Sequence, residues 1–292
     1  MPGINSFTIK DIEHFTGIKA HTIRIWEQRY QLLPPKRKDT NHRVYDNKDL
    51  KGLLRIAYLY HHGMKISRIA ALSEAQQNKL SVEIAAGDNQ YELYINELIE
   101  ATLDYDQLRF EIIFQQLVQL AGFEKSITHA IYPYLEKVGI LWLTGSVTPA
   151  QEHFSSQIIR TKILVAIDSQ EMNDQADDHF LLFLPEGEFH EIPLLYVHYL
   201  LKKHRKIVTN FGANIPLSDL KPFVAAKKVT HIYTHMLTNM TRKAMNSFAE
   251  KLGNMYPHIN ILLSGPQTKH ISMSLPANMR IMHSLKELER ML

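Results

Sequence analysis

Apolar positions along the chain change their spacing twice, and the changes mark out its organisation. Over residues 5–72 short helical patterns alternate with polar turns. Residues 74–90 are polar and predict a helix end followed by a linker that closes at Gly87-Asp88-Asn89. From about Tyr91 to Gln170 the pattern is helical throughout. Leu93, Ile95, Leu98, Ile99 and Leu103 recur at three- and four-residue spacing, and Phe110, Ile113, Phe114, Leu117 and Leu120 carry the pattern onto a second helix. Ile127, Ile131, Leu135 and Val138 mark a third, and Phe154 to Ile167 a fourth. Four helices with short connections predict a four-helix bundle.

Beyond the bundle the period shortens. His179–Leu184 is a continuous apolar run ending in Pro-Glu-Gly, as a strand buried on both faces would be. A helical stretch (192–203), a strand (206–210), a helix (217–226), a strand (231–235), a helix (242–252) and a strand (260–263) follow. A short apolar strand near 280–282 and a last helix close the chain. This alternation predicts a doubly wound parallel sheet, a Rossmann-like α/β domain. The expected boundaries are a head over 1–75, a linker over 76–90, the bundle over 91–175 and the α/β domain over 176–292.

The head reads as a winged helix-turn-helix. Thr8 stands where an N-cap is expected, and Gly17 ends a short first helix with a tight turn. On the next helix, about Ala20 to Arg29, Ile23 and Trp26 face inward while His21, Thr22, Arg24 and Gln28 face outward. A recognition helix needs this arrangement, with polar side chains reaching base edges and Arg available for guanine. Lys36-Arg37-Lys38 and Asn41-His42-Arg43-Val44-Tyr45 suit a two-stranded wing whose basic side chains grip phosphates.

Charge supports that division of labour. Residues 1–68 hold 13 Lys/Arg against 6 Asp/Glu, whereas the remaining 224 residues hold 20 against 24. The net charge of +3 therefore hides a basic head on a mildly acidic body, as expected when only the head meets a polyanion. The absence of Cys excludes disulfides, thiolate metal sites and Cys nucleophiles, and is consistent with a cytoplasmic location. The first residues carry no apolar signal core and no run is long enough to span a bilayer, so no membrane role is expected.

The segment from Phe7 to Ala70, and above all Thr22-Ile-Arg-Ile-Trp-Glu-Gln-Arg-Tyr, closely resembles the DNA-binding domains of the MerR family of transcriptional regulators. The resemblance implies DNA contacts from Thr22, Arg24, Arg29, Arg43 and Tyr45; His21, Lys36 and Arg37 complete the candidate set. Double-stranded DNA with a near-palindromic operator, a homo-oligomer (dimer or tetramer) and RNA polymerase are the partners to expect.

The body resembles that of the family's cobalamin (B12)-binding members, including the B12-dependent photoreceptor regulators. Their bundle carries a Trp, nine residues and then Glu-His; here Trp142 is followed by Leu143 to Gln151 and then Glu152-His153. Their α/β domain carries Glu-x-His-x-x-Gly after its first strand; here the stretch is Glu188-Phe189-His190-Glu191-Ile192-Pro193. The resemblance implies that His190 ligates the cobalt of adenosylcobalamin held between bundle and α/β domain. Glu188 would set the tautomer, and Trp142, Glu152, His153, Thr234, Ser264 and Gly265 would line the cofactor. The departures are Pro193 for Gly, Ser264-Gly265 for Gly-Gly and Thr234 for Ser. Leu143 stands where photosensory relatives have a His, which argues against a light-locked state.

Two other readings of the body stay open. One is a degenerate, ligand-free module for oligomerisation or partner binding, and the other a cobalamin-dependent methyltransferase-like carrier. No Ser-His-Asp set, P-loop or paired-carboxylate spacing stands out, and the reading is of a regulator rather than an enzyme.

Overall fold

The computed structural model describes residues 6–32, 36–37, 43–85, 90–143, 145–171, 176–238 and 240–292. Lys38, Asn41, His42 and the Gly87-Asp88-Asn89 turn lie outside the described residues. The chain divides into two compact units, Met1–Ile158 and Ile159–Leu292.

The first unit begins with α1 (Ile9–Thr16) and α2 (Ala20–Tyr30). Thr8 and Asp11 form a capping box on α1, Thr8 Oγ1 accepting from Asp11 N and Asp11 Oδ2 from Thr8 N at 2.7 Å. Gly17 closes the helix at φ 67°, a left-handed conformation that a side chain would strain. Strands β1 (Lys36–Arg37) and β2 (Arg43–Val44) pair antiparallel, Lys36 opposite Val44. Then come α3 (Asn47–His61), α4 (Ile66–Ala70) and α5 (Glu74–Ala85).

Helix α5 corrects the sequence reading, which placed a linker over 76–90. Its buried residues include Gln77 and Ser81, both polar, so hydrophobic periodicity does not register the helix. Gln77 Nε2 donates to the carbonyls of Ile69 and Leu72, which satisfies the buried amide within the unit.

The bundle consists of α6 (Gln90–Leu103), α7 (Gln107–Ala121), then α8 (Phe123–Ser126) running through a π-turn (Ile127–Ile131) into α9 (Tyr132–Leu143), and α10 (Pro149–Asp168). Leu98, Ile99, Phe110, Phe114, Leu117, Ile127, Ile131 and Val138 are buried as their spacing predicts. The division between units falls inside α10 rather than after residue 175. Within the second unit, the C-terminal part of α10 is tied to the α/β fold. Arg160 Nε donates to Glu191 Oε2 at 3.1 Å and Lys202 Nζ to Ile167 O at 3.0 Å.

The second unit holds a five-stranded sheet in the order β4-β3-β5-β6-β7, every neighbouring pair parallel. The strands are β3 (His179–Phe183), β4 (Ile207–Asn210), β5 (His231–His235), β6 (Asn260–Ser264) and β7 (Met279–Met282). Helices α11 (Glu191–Lys203), α12 (Lys221–Ala226), α13 (Arg242–Met255) and α14 (Leu285–Glu289) intervene or follow. Alternate residues of β3 face opposite layers. Leu181 and Phe183 pack in the cluster with Met245, Ala249 and Leu252 of α13, and Phe180 and Leu182 in the cluster with Leu194, Val197 and Leu201 of α11. Burial on both faces is why the strand reads as one unbroken apolar run. The strand order reverses between β3 and β5, and the crevice beyond their carboxyl ends is where open α/β sheets take ligands.

Candidate functional site

On α2, Ile23 and Trp26 are buried, the indole meeting Tyr60 edge-on at 4.8 Å between centroids. His21, Arg24, Gln28 and Arg29 are exposed and Thr22 is half-buried, so one face of the helix anchors it and the other is presented to solvent. The wing backbone is paired as expected, although the Lys36 and Arg37 side chains lie outside the described residues.

Tyr45 corrects the candidate DNA-contact set. It is fully buried, its backbone bridges Phe7 in both directions, and its hydroxyl donates to Glu27 Oε1. Burial, then the hydrogen bond to Glu27, pushes the phenol well above its usual range. Arg43 Nε donates to the other oxygen of the same carboxylate at 2.9 Å. Glu27 therefore holds the base of the wing to the recognition helix, and Tyr45 positions rather than contacts. The sequence carried a signal for this. An acid beside Trp26 on a helix meant for phosphates needs an internal partner.

Tyr45→Phe should consequently destabilise the DNA-free protein by about 1–2 kcal/mol, because the nearly buried Glu27 loses a donor. Chemical denaturation checks this; an unchanged midpoint and slope would instead mark Tyr45 as dispensable to the head's packing.

In the second unit the loop after β3 is organised by one carboxylate. Glu188 Oε1 accepts from Phe189 N (2.9 Å), His190 N (3.0 Å) and His190 Nδ1 (2.6 Å). Its Oε2 accepts from Leu237 N (2.7 Å) and Thr238 N (2.6 Å), in the loop after β5. Burial alone would push this carboxyl up, but the hydrogen bonds from His190, Thr238 and Leu237 outweigh it and hold the group far below the usual carboxylate range. Glu188 is thus an anion that pins together the two loops bordering the switch point. The His190 Nδ1 bond to Glu188 is the carboxylate–imidazole pairing that orients a metal-ligating histidine.

The surroundings fit a corrinoid in three respects and resist it in one. Phe189, next to His190 in the chain, and Leu237, in the loop after β5, leave their apolar side chains exposed. Thr234 is fully buried at the end of β5, with its hydroxyl lacking a hydrogen-bond partner among the described residues, so a polar group of a ligand would complete it. Pro193 lies in the first turn of α11, where no intrahelical N–H is needed, so the exchange for Gly leaves the helix intact. Ser264 is the resisting feature. Its Oγ donates to Tyr233 Oη at 2.6 Å and lies 2.8 Å from His235 Nδ1, filling space a second glycine would leave open. Burial drives both partners toward neutrality, Tyr233 up to about 12 and His235 down to about 4.

In the first unit Trp142 and Leu143, at the end of α9, are 49% and 75% exposed. Glu152 and His153 lie near the start of α10, with His153 Nδ1 3.4 Å from Glu152 Oε2. A short turn joins the two helices. Gly145 N donates to Trp142 O and Ser146 N to Leu141 O, and Thr148 and Gln151 then cap α10 reciprocally. Ser146 is buried and its Oγ donates to Asp11 Oδ2 at 3.1 Å, which ties this turn to the first helix of the head.

Two family models match the chain: the MerR HTH family regulatory protein over residues 7–76, and the B12 binding domain over residues 94–166. The chain joins a MerR-type head to a B12-binding domain. The HTH-type transcriptional repressor CarH of Myxococcus xanthus is 29% identical to it over 227 residues, 76% of this chain and 75% of that protein. The repressor CarA of the same organism is 26% identical over 215 residues, 73% and 70% of the two chains. Among solved structures, the Methanosarcina barkeri monomethylamine corrinoid protein superposes with a TM-score of 0.55 at 13% identity, covering 70% of this chain and 98% of that one. At that identity the likeness concerns the fold alone.

In the MerR-type head the structure brings together Thr22, Arg24, Arg29 and His21 on one helix, with Arg43 at the wing and Tyr45 beneath it. In the α/β unit it brings together Glu188 and His190, and it places Thr234, Ser264 and Gly265 at the ends of neighbouring strands. Sequence reasoning missed the backbone amides of Leu237 and Thr238. Backbone donors leave no trace in residue type.

Proposed function

We propose that this DNA-binding regulator of the MerR type takes adenosylcobalamin through His190 and that the cofactor sets its affinity for a near-palindromic operator. The observation that carries the reading is the Glu188–His190 pair, a carboxylate holding an imidazole beside the topological switch point. When bound, a corrinoid supplies a cobalt centre that needs one nitrogen ligand from the protein. This chain's own residues do the rest: Glu188 fixes the ring, and Thr234 offers an unmet hydroxyl. Trp142, Glu152 and His153 are the residues of the helical unit assigned to the cofactor. Leu143 offers no ligating nitrogen, so the proposal contains no light-locked state. Homo-oligomers are part of the reading, since one winged head reads too few base pairs for specificity.

The absorbance spectrum of the protein after incubation with adenosylcobalamin and desalting, in the dark and after illumination, tests it. A coloured protein whose colour is lost in His190→Ala supports the reading. A colourless wild type contradicts it and favours the ligand-free module, with Ser264 occupying the strand end.

Control passes, in this reading, through the turn between Trp142 and Glu152, because Ser146 in that turn is hydrogen-bonded to Asp11 of the head. Ser146→Ala should leave the cobalamin spectrum unchanged while shrinking the cofactor's effect on operator affinity by roughly fivefold, a coupling in the usual 1–3 kcal/mol range. Fluorescence anisotropy with and without cofactor measures it, and an undiminished effect would remove the turn from the mechanism.

A further inference from the structure

The exposed face of α2 contains one residue that does not match its neighbours. Ile25 is 50% exposed, although the helix already buries Ile23 and Trp26 as its anchors. The residues beside it on the helix surface, three and four positions away, are His21, Thr22, Gln28 and Arg29, all polar. Arg24, also exposed, precedes it. Ile25 thus sits in the middle of the polar, basic surface that the head presents, where it adds little to the core. An isolated exposed apolar side chain is ordinary on a protein surface. This one occupies the centre of the face assigned to base edges.

The major-groove edges of the bases are donors and acceptors, with a single apolar group among them, the C5-methyl of thymine. Arg24 and Thr22 suit the polar edges and Ile25 suits the methyl. We propose that Ile25 is a specificity-determining residue that reads a thymine methyl in each half-site, next to the base pairs met by Arg24 and Thr22. The inference rests on the DNA-binding reading of the head and adds to it the identity of a base that the operator must contain.

The operator is found in the first step of the test. Full-length protein selects its site from random duplex DNA, and each thymine of that site is then replaced singly by deoxyuridine, which differs only in lacking the methyl. Wild type should lose about fourfold in affinity at one thymine per half-site, the equivalent of one methyl-sized group returned to water. Ile25→Ala should bind more weakly and show no such loss, while Ile25→Val, which keeps a branched side chain, should retain part of it. Because Ile25 is half exposed, both variants should keep the wild-type melting temperature, which verifies that the comparison is between folded proteins. Failure to enrich any site overturns the DNA-binding reading and the inference with it. An enriched site whose thymines are all insensitive, or a loss that persists in Ile25→Ala, overturns the inference alone.

Discussion

Glu188→Ala should destabilise the α/β unit by about 3–5 kcal/mol and lower cobalamin affinity by about 10–100-fold. The two effects have separate origins. The carboxylate is nearly inaccessible and accepts five hydrogen bonds, four of them from backbone N–H groups in two different loops. Alanine removes every acceptor at once, and donors left without partners each carry a penalty of about 1–3 kcal/mol, relieved only where water can enter. The loops after β3 and β5 then lose their common anchor. The affinity loss arises instead at His190, whose tautomer and orientation are no longer set. His190→Ala separates the two. It should remove the proposed cobalt ligand while leaving the four backbone donors satisfied, so binding is lost and stability changes by only about 1 kcal/mol. Equal destabilisation by both substitutions would contradict this division of roles.

Acid sensitivity follows from the same group. Its folded-state pKa lies far below the unfolded value of about 4.3, so the folded state favours the ionised form. That contribution is fully present above the unfolded value and is lost as pH falls toward the folded one. Wild type should therefore lose stability below about pH 4.3 more steeply than Glu188→Gln, as denaturation series across roughly pH 2–6 will show.

Gly265→Ala has the second largest expected effect, about 3 kcal/mol or more, read as a lowered melting temperature or as failure to accumulate folded protein. Gly265 adopts φ 94° and ψ 162°, a region that side-chain-bearing residues almost never occupy. A Cβ there would lie 2.3 Å from Met236 O and 2.7 Å from Met236 N. Neither atom can retreat easily. Met236 N donates to Ser264 O at 3.0 Å and Met236 O accepts from Gln267 N at 3.3 Å, so the loops after β5 and β6 are locked together at that point. Ser264→Gly provides the contrast. It removes the Ser264 hydroxyl and its hydrogen bonds to Tyr233 and His235 but forces no backbone clash, so it should cost about 1–2 kcal/mol, which thermal melts of the two variants will separate. A well-folded Gly265→Ala with an unchanged melting temperature would show that the close approach is not required.

Legibility varied with the kind of interaction that forms each element. The β3 run and the bundle stripes are apolar, so their spacing announced them, and the Thr8 cap and the Gly17 turn are local signals read over a few residues. Helix α5 escaped because polar Gln77 and Ser81 are among the residues it buries, and Tyr45 was misread because its burial depends on Glu27, 18 residues away. The candidate cofactor site was legible only at its side chains. Glu188 and His190 stood out as a pair, whereas the amides that make Glu188 an anchor belong to Leu237 and Thr238, 49 and 50 residues further on. The division of the chain inside α10 likewise depends on long-range partners, Arg160 with Glu191 and Lys202 with the Ile167 carbonyl.

The central claim is that cobalamin bound through His190 sets the head's hold on DNA. Operator affinity measured by anisotropy, with and without adenosylcobalamin, on wild type and His190→Ala tests it most directly. The account predicts a cofactor-dependent change of at least about fivefold in wild type, corresponding to about 1 kcal/mol of coupling, and none in His190→Ala. Identical wild-type affinities with and without saturating cofactor would contradict it.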